Sequence, residues 1–315
     1  MKLFMTSSPM GAYRSNEAPA FKGLNPANGM VDELKAYWKK DSKCLLISAF
    51  PDEFEINDRM RGDFERIFRE TGLSVKCVDL CDRRSGRKIV SGLSKYDMVI
   101  LGGGHVPTEK AFFDEIGLRE ALQGWDGIVM GISAGSMNCA DLVYAQPEMP
   151  GEAVDPFYQK FIRGLGLTDI NVLPHYQAVK DDYVDGLRLM EEITYPDSVG
   201  RVFYAIVDGS YVLQTEDRKE IRGEAYRIAD GKIEKICGAG EAVSLDWKIH
   251  PQVYNGKRTK EKPEVTDEQN NISRLRSHHK GSEISRRQAI QRLRIWLLLY
   301  GECGDGQGVG CLGGA

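Results

Sequence analysis

The amino-acid sequence predicts an α/β protein, a three-layer sandwich with a largely parallel central sheet, on three observations. Short apolar runs alternate with amphipathic helical stretches over the first 250 residues. The apolar runs are nearly continuous rather than alternating, as expected of strands covered on both faces. Several of them end in glycine-rich turns, "LGGGH" and "GISAGS" among them, and sites in such sheets form where the strands end.

The elements follow in order. "KLFMTSS" reads as the opening strand. Met30–Lys40 reads as a helix, with Leu34 and Trp38 four apart on one face. Cys44–Phe50 is a second strand. In "DEFEINDRMRGDFERIFRETG", Phe64, Ile67 and Phe68 recur at helical spacing, and Gly72 supplies the C-terminal stop. Leu73–Cys81 and Tyr96–Gly104 are the third and fourth strands, and "TEKAFFDEIGLREALQGW" is a helix with a break expected near Gly117. Gly127–Ser136 is a fifth strand running into a sharp turn. From Asp208 the pattern changes to short antiparallel strands, and "IADGKI" carries the Asp-Gly hairpin signal. We expect these strands to complete the same domain as an edge hairpin, which gives one domain over 1–247.

Residues 248–315 read differently. "NGKRTKEKPEVTDEQNN" is polar and aperiodic, the composition of a linker or disordered stretch. A short helix is expected over 283–300, where "SRRQAIQRLRIWLLLY" is basic and amphipathic. Residues 251–315 hold eleven Lys and Arg against seven Asp and Glu, so the earlier part of the chain is the more acidic.

Composition narrows the function. The chain of 315 residues is 42% hydrophobic and 28% charged, with a formal net charge of -4, which offers no general attraction for nucleic acid. The seven cysteines are irregularly spaced with no C-x-x-C pair, so neither a zinc site nor a disulfide framework is expected. Cys44 and Cys77 fall in strand-like runs and are expected to act as small hydrophobes. The first residues lack the apolar run of a secretory signal, and "IWLLLY" is too short to span a membrane. A cytoplasmic location is the expectation, with no membrane partner.

The strongest chemical signal is Gly131-Ile132-Ser133-Ala134-Gly135, a G-x-S-x-G pattern between a strand and a helix. A serine on such a turn needs small neighbours on both sides, and the turn lifts its oxygen above the sheet edge. The following helix start favours developing negative charge. A serine nucleophile needs a base. Of the five histidines, His175 follows the strand-like "INVLP" and can face the same cleft, whereas His250, His278 and His279 lie in the tail or its approach. An acid must orient the base, and Asp141, Glu148, Glu152 and Asp155 are all candidates that spacing leaves open. Backbone N–H groups of Gly103 and Gly104, with that of Ala134, are expected to form the oxyanion hole. No phosphate loop, dinucleotide fingerprint or metal-ligand spacing is present, so no cofactor or metal is expected.

The segments "VILGGGHVPT", "GISAGSMN", "PEMP", "VLPHY", "AIVDGSYV" and "GAGEAV" together resemble the peptidase E (aspartyl dipeptidase) and cyanophycinase family of serine peptidases, from the N-terminus to about Leu245. The resemblance implies a flavodoxin-like core related to class I glutamine amidotransferases. It implies a nucleophile at Ser133, a base at His175 and an acid at Glu148, fifteen residues after the serine. It also puts the strand-end pair Asp208-Gly209 near the site, with Asp208 among the substrate-binding residues. Peptidase E relatives usually carry an asparagine that helps hold substrate where this chain has His105, and Arg188 is the nearest candidate for the arginine that binds the substrate carboxylate. The implied activity is hydrolysis of small peptides or amides, aspartyl dipeptides among the candidate substrates, with homo-oligomerisation left open.

Two other functions fit the same fold. A glutamine amidotransferase-like enzyme would want cysteine at the elbow and His-x-Glu beyond it, but this chain has Ser133 and His175-Tyr176-Gln177. A catalytically silent binding or regulatory protein would have no need of Ser133 with His175.

Overall fold

The computed structural model describes residues 1–10 and 23–245. The tail, with the helix expected over 283–300, lies outside the described residues. The chain opens with strand β1 (Lys2–Thr6), helix α1 (Met30–Tyr37), β2 (Ser42–Ile47), α2 (Phe54–Glu70) and β3 (Val75–Cys81). Next come α3 (Gly86–Val90), β4 (Met98–Leu101), α4 (Val106–Ile116), α5 (Leu118–Leu122), β5 (Ile128–Ile132) and α6 (Ala134–Met137). Then follow β6 (Leu142–Tyr144), β7 (Phe161–Arg163), β8 (Asn171–Leu173), α7 (Tyr176–Val179), β9 (Tyr183–Val184), β10 (Leu187–Arg188) and α8 (Tyr195–Asp197). The last strands are β11 (Val202–Ile206), β12 (Tyr211–Gln214), β13 (Lys219–Arg222), β14 (Ala225–Ala229), β15 (Lys232–Cys237) and β16 (Ala242–Ser244).

The central sheet has eight strands in the order β16-β13-β12-β1-β5-β4-β2-β3. The pairs from β1 through β3 are parallel, and β12, β13 and β16 extend the sheet antiparallel from β1. The stretch β3-β2-β4-β5 repeats the first four places of a flavodoxin-type order, with β1 in the fifth. Both faces of the sheet are covered. Phe4, Leu46, Ile100 and Met130 pack with Met30 and Leu34 of α1 and with Phe64 and Phe68 of α2. On the other face, Leu3, Leu45, Val99 and Val129 pack with α4, α5 and a second sheet. That is why the strands read as unbroken apolar runs.

The break expected near Gly117 is present: Gly117 has a left-handed φ of 70° and separates α4 from α5. At the predicted Asp-Gly hairpin, Asp230 and Gly231 both have positive φ, 49° and 75°, as a two-residue turn matched to strand twist requires. The antiparallel strands do not form one edge hairpin, however. β12, β13 and β16 extend the central sheet, whereas β14 and β15 join β11 and β8 in a separate four-stranded sheet ordered β15-β14-β11-β8. Local sequence cannot announce this split, because both sets of strands carry the same short-period pattern.

Candidate active site

Four strand ends meet at one place. β1 and β5 run parallel with Thr6 opposite Ile132, so Ser7 and Ser133 leave the sheet side by side. β8 and β11 run parallel with Leu173 opposite Ala205, so His175 and Asp208 emerge together. Backbone hydrogen bonds from Ser7 N to Ser210 O and from Gly209 N to Ser8 O tie the second pair to the first.

The turn at Ser133 has an unusual backbone. Ser133 sits at φ 52°, ψ -117°, a conformation L-residues rarely adopt, held by its N–H against the carbonyls of Thr6 and Ser7. The flanking glycines are required sterically. A Cβ on Gly131 would lie 2.7 Å from Ser136 Cα, and one on Gly135 would lie 2.4 Å from the Leu101 carbonyl oxygen. His175 is also left-handed, at φ 60°, and begins α7.

The side chains line up across this junction. His175 Nε2 is 2.9 Å from Ser133 Oγ, and its Nδ1 is 2.7 Å from Asp208 Oδ1. The His175 and Asp208 side chains are only 7% and 6% exposed, so their hydrogen bond is shielded from water. Gln177 donates through Nε2 to Asp208 Oδ2 at 2.6 Å and accepts from the Asp208 N–H at 3.1 Å.

The structure therefore brings Ser133 and His175 together, and the carboxylate it sets against His175 differs from the one expected. Glu148 is not the carboxylate on His175; Asp208 is. Glu148 belongs to a separate cluster at the start of α4. There His105 hydrogen bonds through Nδ1 to Thr108 Oγ1 at 2.7 Å and through Nε2 to Glu152 Oε1 at 2.8 Å. Glu152 Oε2 accepts from the N–H groups of Glu148 and Met149, both at 2.9 Å. Although the Glu148 residue as a whole keeps solvent access, burial pushes its carboxyl up to about 7, against the pull of His105 and with the Glu152 carboxylate adding to the rise. Glu152 is held below the usual range: burial works upward, but bonds from His105 and two backbone N–H groups outweigh it.

The remaining candidates are distributed as follows. Gly103 and Gly104 lie just past β4, and the Gly102 carbonyl oxygen is 2.6 Å from where a Gly135 Cβ would be, so the triple-glycine turn packs on the turn that carries Ser133. Ala134 is the first residue of α6 and is buried. Arg188 lies exposed on the β9–β10 hairpin, 3.9 Å from Glu191. Asp141 lies beyond a helix of only four residues and pairs with Arg119 at 2.6 Å. Asp155 accepts from the Phe157 N–H in its own loop. A cavity of about 410 Å³, lined by Phe50, Arg83, Thr108 and Phe112 among others, borders the Thr108 side of α4; Ser133, His175 and Asp208 do not line it.

The sequence puts Asp208 near the site without setting it against His175, uses Gln177 only to tell this chain from an amidotransferase, and does not point to Ser7. The signal for Asp208 was its position just past a strand, as for His175. Among the described residues, no group of three His, Cys, Asp or Glu side chains is placed to hold a metal ion, and no helix is long and apolar enough to cross a membrane.

Residues 52–222, more than half of the chain, match the family described as Peptidase family S51. No curated protein matches the chain. Among solved structures, one from Listeria monocytogenes EGD-e, described provisionally as a peptidase E protein, is similar at 14% identity and a TM-score of 0.47, covering 75% of this chain and 98% of that one.

Proposed function

Because the chain belongs to peptidase family S51, the peptidase E and cyanophycinase family, we propose that it is a serine hydrolase of small peptides or amides, acting through Ser133, His175 and Asp208. One observation carries this reading: a single imidazole hydrogen bonded to Ser133 Oγ on one nitrogen and to a shielded carboxylate on the other. Ser133 attacks the scissile carbonyl carbon while His175 Nε2 takes the hydroxyl proton. Asp208 holds Nδ1–H and stabilises the imidazolium. The tetrahedral oxyanion is met by the N–H groups of Ala134 and of Gly103 or Gly104. His175 returns the proton to the leaving amine, which departs and leaves an acyl-enzyme. Water, deprotonated by the same nitrogen, then releases the acid product and restores Ser133.

Aspartyl dipeptides are the substrates to examine first, on the family resemblance alone. A serine rather than a cysteine at the elbow argues against amidotransferase chemistry, and the Ser133–His175 hydrogen bond argues against a silent binding protein. The test is labelling by a fluorophosphonate probe, followed by a panel of dipeptides and aminoacyl amides with free and blocked termini. Wild type should label and turn over at least one member, and Ser133→Ala should lose labelling and about 10³-fold or more in turnover. A folded Ser133→Ala protein with full turnover would overturn the proposal.

A further inference from the structure

The hydroxyl of Ser7 stands among three groups of this site. It is 2.6 Å from Asp208 Oδ1, 2.8 Å from the His175 backbone N and 3.2 Å from His175 Nδ1. Ser7 is fully buried, so no water competes for these bonds. We propose that Ser7 is a positioning residue for the reaction, one that fixes the tautomer and the backbone pose of His175; this rests on the assignment of Ser133, His175 and Asp208 above.

The hydrogen count supports it. A serine hydroxyl has one proton to give and two lone pairs. The His175 backbone N–H donates to Ser7 Oγ, since a backbone N–H can only donate. Asp208 as a carboxylate can only accept, so the 2.6 Å contact must be filled by the Ser7 proton. Ser7 then has no proton left for the ring. Asp208 Oδ1 and Ser7 Oγ both turn lone pairs toward His175 Nδ1, so that nitrogen must carry a hydrogen, donated mainly to Asp208 at 2.7 Å. The lone pair is left on Nε2, 2.9 Å from Ser133 Oγ, where a general base needs it.

The same hydroxyl secures the backbone. His175 occupies the left-handed region at φ 60°, a conformation that is strained for a non-glycine residue. Its N–H, bonded to Ser7 Oγ, holds that pose. The Ser7 carbonyl also accepts from Ser133 N–H. One residue at the end of β1 thus braces nucleophile, base and acid.

A double-mutant cycle tests this, with Ser7→Ala, Asp208→Asn and their combination, read by the saturating rate and half-saturating concentration of fluorophosphonate labelling. Ser7→Ala should lower the saturating rate about 10- to 100-fold, with the half-saturating concentration within about threefold, because only the base is disturbed. If Ser7 acts through the His175–Asp208 pair, the double variant should stay within about threefold of Asp208→Asn alone. Independent losses that multiply would mark a general structural role and overturn the proposal. So would a Ser7→Ala protein labelling within about twofold of wild type. Should Ser7→Ala not fold, Ser7→Cys, which fills the space with a weaker donor, carries the same cycle and the same criteria. If Asp208→Asn labels at the wild-type rate, the assignment of the acid itself fails, a result distinct from failure at Ser7.

Discussion

At the scale of single residues, the site depends on two left-handed side-chain carriers, Ser133 and His175, and on one shielded carboxylate. Asp208→Asn removes the charge that stabilises the imidazolium and favours the wrong tautomer, so turnover should fall roughly 10²–10⁴-fold with folding preserved. Glu148→Gln, whose carboxyl belongs to the His105 cluster, should stay within about tenfold of wild type; side-by-side turnover of the two variants decides between the acids. Glu109 is a different kind of residue. It is fully buried, accepts one bond from Asn138 Nδ2 at 2.8 Å, and leaves its Oε1 without a partner. Burial raises its carboxyl well above the ordinary 4.5. The folded state therefore binds this proton more tightly than the unfolded one. Stability from it is complete below about pH 4.5 and is lost as pH rises toward the folded value. Glu109→Gln, neutral at every pH and able to donate to the unpartnered Asn138 Oδ1, should raise the melting temperature at pH 8 by about 2–4 °C and change it less at pH 5. An equal shift at both pH values would contradict this account.

At the scale of elements, the nucleophile turn works because β5 and β4 are neighbours and the turns beyond them touch. Gly135→Ala would drive a methyl group to 2.4 Å from the Leu101 carbonyl oxygen and 2.6 Å from that of Gly102. Backbone atoms at strand ends cannot yield as a flexible side chain does. This variant should lose about 10²-fold or more in fluorophosphonate labelling and melt lower, by circular dichroism, than wild type. The glycines of G-x-S-x-G were legible in the sequence for this very reason of crowding. The shortness of α6 was not: the elbow pattern signals that a helix starts, and nothing in "AGSMNCADL" fixes where it stops.

At the scale of the whole molecule, the site joins the central sheet to the smaller four-stranded one: β1 and β5 present Ser7 and Ser133, and β8 and β11 present His175 and Asp208. The family match over 52–222 contains Ser133, His175 and Asp208 but begins after Ser7, which reaches the site because β1 lies between β5 and β12. All of these residues, and the last strand of the sheet, β16, precede residue 246. A chain ending at Leu245 should therefore fold and label with fluorophosphonate within about threefold of the full chain. Insolubility or loss of labelling would show that residues after 245 are needed by the domain.

The sequence by itself determined the α/β class, nearly every strand and helix up to β5, the break at Gly117, the Asp230-Gly231 turn, and the pairing of Ser133 with a histidine at a later strand end. These are local properties, written in hydrophobic periodicity, in glycine where a Cβ cannot fit, and in turn chemistry. Tertiary structure alone decided which acid meets His175. Glu148, Glu152 and Asp155 are nearer to Ser133 in sequence, but Asp208 stands one strand over from His175, because β8 and β11 pair in parallel across 28 intervening residues. Ser7, 168 positions from His175, is brought in the same way by β1. Strand order and register are set by long-range packing of similar apolar runs, and no single segment of sequence records which runs become neighbours.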